Sequence, residues 1–375
     1  MPPATPGQSV FAPGRVNLIG EHIDYHLLPV LPVALTRGIR LHWQPRQDAL
    51  VSLRSRDGYP DATFPLSESI EPAPHGHWSN YVRAAAQAAA IRWHITKGIE
   101  AEIRSDLPAA SGLSSSSALL VAASLALLQA NGVRASFAEL MEVLPEAEHY
   151  VGTRGGAMDH AACLAGRRGH ALRIQFAPLA VEPVPLPADW AFVLIDSGVR
   201  AEKSAGLRER YNHARQAGTA ALHALGLSNF REAIQSSAYP PGMEHLETSQ
   251  RRAFQHVVSE ARRVDAACQA LRLRQLDEFA RLLLQSHASL RDDLCVSCAE
   301  LDQLVDAAQR AGARGARLTG AGFGGYVLAV LPDADYPRFR QAMANTHPAA
   351  SQDSIIKVEA GDGAHARSPL CNGSM

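Results

Sequence analysis

Four short stretches carry residues whose types and spacing suit chemistry. The first is Ala12-Pro13-Gly14-Arg15-Val16-Asn17-Leu18-Ile19-Gly20-Glu21-His22-Ile23-Asp24-Tyr25. Val16, Leu18 and Ile19 anchor the backbone while Arg15, Asn17, Glu21, His22 and Asp24 bring a guanidinium, an amide, carboxylates and an imidazole together. That mixture of donors and acceptors suits a polyhydroxylated ligand. A surface ion-pair cluster would use the same residues. A metal site made of Glu21, His22 and Asp24 ranks lowest, because three near-neighbours would need strained geometry.

The second stretch, Leu107-Pro108-Ala109-Ala110-Ser111-Gly112-Leu113-Ser114-Ser115-Ser116-Ser117, lies between an expected strand and an apolar helix. Amides at a helix start are unsatisfied and the macrodipole adds roughly half a positive charge, so a phosphate is stabilised there without a lysine. A serine N-cap explains one or two serines; four in succession exceed what capping requires. The third, Arg154-Gly155-Gly156-Ala157-Met158-Asp159-His160, sets a carboxylate after a glycine turn, which by itself reads as a helix start with an acidic first turn. The fourth, Thr319-Gly320-Ala321-Gly322-Phe323-Gly324-Gly325, suits close approach of backbone to a ligand or simply a tight turn. A Walker loop is excluded, since the lysines are Lys97, Lys203 and Lys357 and none follows a glycine. No GxSxG elbow surrounds the serines.

The elements that must position these turns mix strands and helices. Strands are expected at 38–43, 49–54 and 99–104, an alanine-rich helix at 80–93, and a helix from the serine turn to about Gln129. Ser136 and Glu139 form a capping box for a helix ending near Gly152. The proline-punctuated stretch 177–189 is either a connection between lobes or an edge strand. Beyond a strand at 192–195, helices are expected at about 204–225, 246–271, 275–290 and 298–311, then the glycine turn and a strand at 326–330. This is α+β and disfavours a doubly wound sheet.

The 375 residues imply two lobes, expected at 1–185 and 186–375. Hydrophobic residues make up 46% and charged residues 19%, a globular profile. Thirty-six basic against 37 acidic side chains give no global field for nucleic acid or an anionic membrane. The longest strongly apolar stretch, 118–128, is interrupted by Ser124 and falls short of the roughly 20 residues a bilayer requires. The start, Met1-Pro2-Pro3-Ala4-Thr5-Pro6, has no secretory pattern, so a cytoplasmic protein is expected. Five scattered cysteines suit reduced thiols, and Cys295 and Cys298 read as helix packing because Cys298, Leu301, Leu304 and Val305 form one stripe.

Taken together, the chain resembles the galactokinases within the GHMP small-molecule kinases. Gly14 to His22 is similar to their signature, Gly112-Leu113-Ser114-Ser115-Ser116 to the phosphate loop and Gly320 to Gly325 to the third motif. Trp78-Ser79-Asn80-Tyr81-Val82, and Ser289-Leu290-Arg291-Asp292-Asp293 with Val296-Ser297-Cys298, are further matches. The resemblance implies the two-lobed GHMP fold: an N-terminal lobe like the second domain of ribosomal protein S5, with a mixed sheet, and a C-terminal lobe of antiparallel sheet and helices. It implies ATP and Mg²⁺ between them and phosphoryl transfer to the anomeric hydroxyl of a sugar, with galactose favoured. Asp159 would be the general base and Arg15 its partner. Glu21, His22, Asp24, Gly156 and Tyr211 would line the sugar. Trp78, Gly112, Leu113, Ser114, Ser115 and Ser116 would hold the nucleotide, and Ser116 and Glu148 the metal. A monomer is expected, with a small sugar and ATP as partners.

The pattern departs from the family after Asp24. Tyr25-His26-Leu27-Leu28-Pro29-Val30 carries bulky residues where glycines are usual, and Ile23, Ala110 and Gly155 replace a common Thr, Gly and Cys. The loop beside the sugar is therefore expected to take another path, leaving arabinose or an N-acetylhexosamine as alternative acceptors and a non-catalytic sugar sensor as the reading from another class.

Overall fold

A computed structural model describes residues 8–108, 112–152, 155–199, 205–236, 239–346 and 354–367, with backbone alone at 205–211, 346 and 367. The first half holds β1 (Gln8–Asn17), β2 (Pro32–Pro45), β3 (Leu50–Ser55), β4 (Ala62–Pro65) and β5 (Ile99–Ser105). Its helices are α1 (Asn80–Trp93), α2 (Ser115–Ala130), α3 (Phe137–Ala147) and α4 (Met158–Ala165). β6 (His170–Phe176) and β7 (Leu179–Pro185) form a separate hairpin, so the proline-rich stretch is an edge strand, with Pro183 and Pro185 in a strand that has one neighbour. β8 (Trp190–Asp196) opens the second half. α5 (Ala205–Ala224), α6 (Phe230–Gln235), α7 (Thr248–Arg272), α8 (Leu276–Asp292) and α9 (Ala299–Arg310) follow, then β9 (Gly315–Thr319), β10 (Tyr326–Pro332), α10 (Tyr336–Thr346), β11 (Ile355–Lys357) and β12 (His365–Arg367).

Two main sheets result. The first runs β12-β1-β2-β5-β3-β4 and is mixed, because β3 pairs with β5 in parallel. The second, β11-β8-β10-β9, is antiparallel throughout. The C-terminal segment does not stay with the second half: β11 pairs with β8, and β12 then pairs with β1. Ala360 bridges to Leu35 on the way. That crossing follows no local pattern in the sequence, since three-residue strands carry too little periodicity to be read.

Local chemistry explains the elements that position the site. α1 buries Ala84, Ala85, Ala86, Ala89 and Ala90, small residues that let it approach α2 closely. α2 is apolar almost all round and buries Ala118 to Ser124, as a helix enclosed by a core must. The capping box at Ser136 and Glu139 forms as expected. Cys298 is the N-cap residue of α9 and packs against the cluster of Leu301, Leu304 and Val305, whereas Cys295 is exposed. One buried cluster joins Leu18, Ile19 and Ile23 of the signature to Val257 and Val264 of α7 and Leu194 and Leu328 of the second sheet. The two halves thus share a core under the signature. No described helix is long and apolar enough to cross a membrane.

Candidate active site

The four stretches meet in space. β1 delivers Arg15 to the serine turn, where its N–H donates to the Leu113 carbonyl at 3.1 Å and its Nη1 to the Gly112 carbonyl at 2.7 Å. Its Nε donates to Asp159 Oδ1 at 2.7 Å. Asp159 stands in the first turn of α4, and its other oxygen, Oδ2, accepts from Ser114 Oγ. Burial pushes the Asp159 carboxyl up, but Arg15 and the Ser114 hydroxyl outweigh it and hold it below the usual carboxylate range. It is therefore a charged acceptor at neutral pH.

Ser114 takes φ +59 and is the N-cap residue of α2, yet its side chain makes no capping bond. With its hydroxyl engaged by Asp159, Ser114 gives the first amides of α2 no side-chain acceptor. Gly112, at φ +69, has nothing within 4 Å of where a Cβ would stand. Open space before uncapped amides at the positive end of a buried helix can take a phosphate. Ala109, Ala110 and Ser111 lie outside the described residues, as do Thr153 and Arg154.

The carboxylates of the first stretch part ways. Asp24 sits against Gly156: a Cβ there would come within 1.8 Å of its Oδ2, so the double-glycine turn must stay bare for the carboxyl to fit. Burial, with Asp159 and Glu21 nearby, pushes Asp24 up to about 7. Glu21 turns inward, where its Oε1 accepts from the Gly320 N–H at 2.7 Å and pairs with the fully buried Arg317 at 2.9 Å. His22 lies between two motifs, with Nδ1 3.2 Å from the Tyr25 hydroxyl and Nε2 3.1 Å from the Ala321 carbonyl. A carbonyl only accepts, so Nε2 carries the proton; burial lowers the ring below its ordinary value. In the third motif Gly320, Gly322, Gly324 and Gly325 all take positive φ, and a Cβ at Gly322 would stand 2.2 Å from the Val296 carbonyl. Glycine is obligatory there.

The loop after Asp24 begins as one 3₁₀ turn, Asp24–His26, and Leu27 adopts φ +60 although it carries a side chain. Its side chain escapes outward, 53% exposed. His26 packs on Phe230 with ring centroids 4.6 Å apart, its Nε2 facing Gly218.

Glu148 is brought to the serine helix, where Ser117 Oγ donates to its Oε1 at 2.7 Å; His160 Nε2 stands 3.6 Å from the same oxygen. The hydroxyl on Glu148 is thus Ser117's, one residue beyond Ser116. Among the described residues no three His, Cys, Asp or Glu side chains group as a metal site. A carboxylate with serine hydroxyls is a hard-oxygen set that suits Mg²⁺, which keeps waters and phosphate oxygens as its other ligands. Trp78 stands at the start of α1, its Nε1 donating to the Pro60 carbonyl at 2.9 Å and its ring 6.3 Å from the half-exposed Tyr59. Tyr211 lies on α5, but its side chain is outside the described residues.

Sequence reasoning missed Arg317, His256 and Glu260. The signal for the last two was present: a histidine and a glutamate interrupt a stripe of α7 whose neighbours Ala253, Val257, Ala261 and Val264 are all buried.

A mixed sheet, an antiparallel sheet and a serine turn feeding a buried helix define the GHMP kinases as a class. The family models agree: "GHMP kinases N terminal domain" matches residues 80–167 and "GHMP kinases C terminal" residues 267–349. The Methanococcus jannaschii mevalonate kinase, 17% identical with a TM-score of 0.67, shares that fold. Within the class, the galactokinase galactose-binding signature matches residues 3–45. The chain is 40% identical over 373 residues to the galactokinase of Bos taurus, covering 96% of this chain and 92% of the relative. It is 38% identical over 363 residues to that of Roseiflexus sp., covering 94% and 91%. The crystal structure of Lactococcus lactis galactokinase complexed with galactose superposes with a TM-score of 0.85 at 30% identity, covering 96% and 94%. The chain belongs to the galactokinase family.

Proposed function

We propose that this chain phosphorylates galactose at the anomeric hydroxyl, with ATP as donor and Asp159 as general base. The observation that carries the reading is the position of Asp159, clamped between Arg15 and Ser114 beside the uncapped start of α2. A sugar hydroxyl is a poor nucleophile at neutral pH. A lowered carboxylate within about 3 Å accepts its proton as the bond to phosphorus forms, a contribution of roughly 10²–10⁴-fold. The sugar oxygen bonds to the γ-phosphorus, the β,γ-bridging oxygen departs with ADP, and the proton passes to Asp159. Arg15 orients that carboxylate and, with the α2 amides, offsets charge on the transferring group. Gly112 to Ser116 form the floor for the phosphates, with Trp78 on the nucleotide side.

Glu148 with the hydroxyls of Ser116 and Ser117 would hold Mg²⁺, which supplies neutralisation of phosphate charge when bound. Glu21, His22, Asp24, Tyr211 and the backbone at Gly156 would surround the sugar. The lobes would divide near residue 185, where β7 ends, and the enzyme would work as a cytoplasmic monomer. ADP release measured over galactose, arabinose and N-acetylhexosamines, with ³¹P NMR of the product, tests the reading. Galactose 1-phosphate is the expected product. ADP appearing with none of these sugars while galactose and ATP both bind would overturn it in favour of a sensor.

A further inference from the structure

The backbone beneath the sugar residues is held in an unfavourable shape. Gly20 takes φ +101 and His22, which carries a side chain, φ +60. Such conformations persist only where the surroundings over-determine them, and they cluster at functional sites. Here one helix contributes much of that constraint. α7 presents His256, Glu260 and Val264 at successive four-residue intervals, hence on one stripe. Glu260 Oε1 accepts from the Gly20 N–H at 2.9 Å, the Glu21 N–H at 3.3 Å and Ser286 Oγ at 2.7 Å, while its Oε2 accepts from Arg263 Nε at 2.7 Å. His256 Nε2 donates to the Glu21 carbonyl at 3.0 Å, and its Nδ1 lies 2.9 Å from the Ser289 hydroxyl. A Cβ at Gly20 would stand 2.9 Å from Val264 Cγ2. Both the N–H and the C=O of Glu21 therefore end on α7.

We propose that Glu260, assisted by His256, is the positioning residue of the sugar subsite: it fixes the peptides at 20 and 21 so that His22 and Asp24 face the acceptor. The inference rests on the galactokinase reading for the nature of that acceptor. Three observations separate it from an ordinary buried ion pair. The carboxylate is completely buried and receives four donors, two of them from the backbone of the signature. Glu21, the residue before the strained His22, is held by α7 through both its N–H and its C=O. And the Arg15, Ser114 and Asp159 cluster makes no hydrogen bond to Glu260 or His256, so the grip is separate from the proton-accepting carboxylate and the serine turn. Burial pushes the Glu260 carboxyl up, but Arg263, His256 and Arg317 hold it down at about 2, so it stays charged wherever the enzyme works.

The test is steady-state kinetics of the full chain with sugar and ATP varied separately, beside calorimetric binding of galactose alone. Glu260→Ala strips two backbone amides of their acceptor; Glu260→Gln keeps a carbonyl oxygen in the same place. The expected result is a galactose KM and Kd raised roughly 10–100-fold in the alanine variant. The ATP KM should stay within about twofold, and the glutamine variant should recover most of the loss. A galactose Kd unchanged in a folded alanine variant, or ATP and galactose KM rising by the same factor, would overturn the inference. If Glu260→Ala does not fold, Ser286→Ala and His256→Ala decide: galactose Kd must rise in His256→Ala by more than in Ser286→Ala, and equal or absent changes overturn it. Failure of the underlying reading looks different, since the unaltered chain would then phosphorylate no galactose at all.

Discussion

Two carboxylates, each bonded to an arginine, meet the signature at different points, Asp159 at Arg15 and Glu260 at the Gly20 and Glu21 amides, and differ in how they are held. Asp159 has two side-chain donors, Arg15 and Ser114, and its side chain remains 25% exposed. Glu260 has four donors and no exposure. Both are held below the usual carboxylate range, so charge state does not distinguish them. Coordination does. A group that must accept a proton needs a lone pair facing the space where the substrate arrives, whereas a group that holds backbone is best saturated. Asp24 makes a third case: crowded by Asp159 and Glu21 and buried, it is driven up to about 7.

The largest expected effect falls on the open carboxylate. Asp159→Asn should abolish turnover, a loss of at least about 10²-fold, while ATP affinity measured by calorimetry changes little. Undiminished phosphorylation by this variant would sink the assignment of the base. Next comes the saturated side. Arg317 is fully buried and pairs with Glu21 while its Nη1 donates to the Leu18 carbonyl at 2.8 Å. Arg317→Met should cost about 3–5 kcal/mol in urea unfolding, because Glu21 is left as an uncompensated buried charge. A loss below about 1 kcal/mol would mean that the pair is solvated and the contrast with Asp159 is overdrawn.

The smallest effect concerns pH. Asp24 binds its proton more tightly in the folded chain, about 7 against 3.8. Its contribution therefore favours folding most fully below about pH 4 and is lost as pH rises through about 7. Asp24→Asn removes that dependence, so the variant should melt higher than the parent at pH 8, and the gap should narrow as pH falls below about 7 and close only below about pH 4. Parallel melting-temperature profiles for the two proteins would show that Asp24 is already charged in the folded state.

Much of the candidate site was legible because its chemistry is local. Arg15, Asp159 and the serine turn were readable from side-chain type and turn residues, and α1 spans Asn80–Trp93, the bounds expected of its alanine-rich stretch. The edge-strand alternative at 177–189 could not be decided from prolines, since a connection carries the same ones; it was settled by pairing with β6. Residue type alone does not place Leu27, which takes φ +60, a region that favours glycine, with a side chain 53% exposed. Ser116 and Ser117 are indistinguishable by type, and only the turn of α2 decides which reaches Glu148.

What the sequence determined by itself was the inventory and the local shapes: which groups can carry charge, which turns require glycine, and which helices are enclosed. Periodicity and backbone sterics act over a few residues and are written in residue order. What only the tertiary structure decided was the partner of each charge. Glu21 reaching Arg317, Glu260 reaching the Gly20 amide and β12 returning to β1 are contacts across 240 residues and more. Their energy comes from exclusion of water and exact proximity, and neither property belongs to any residue before the chain has closed around it.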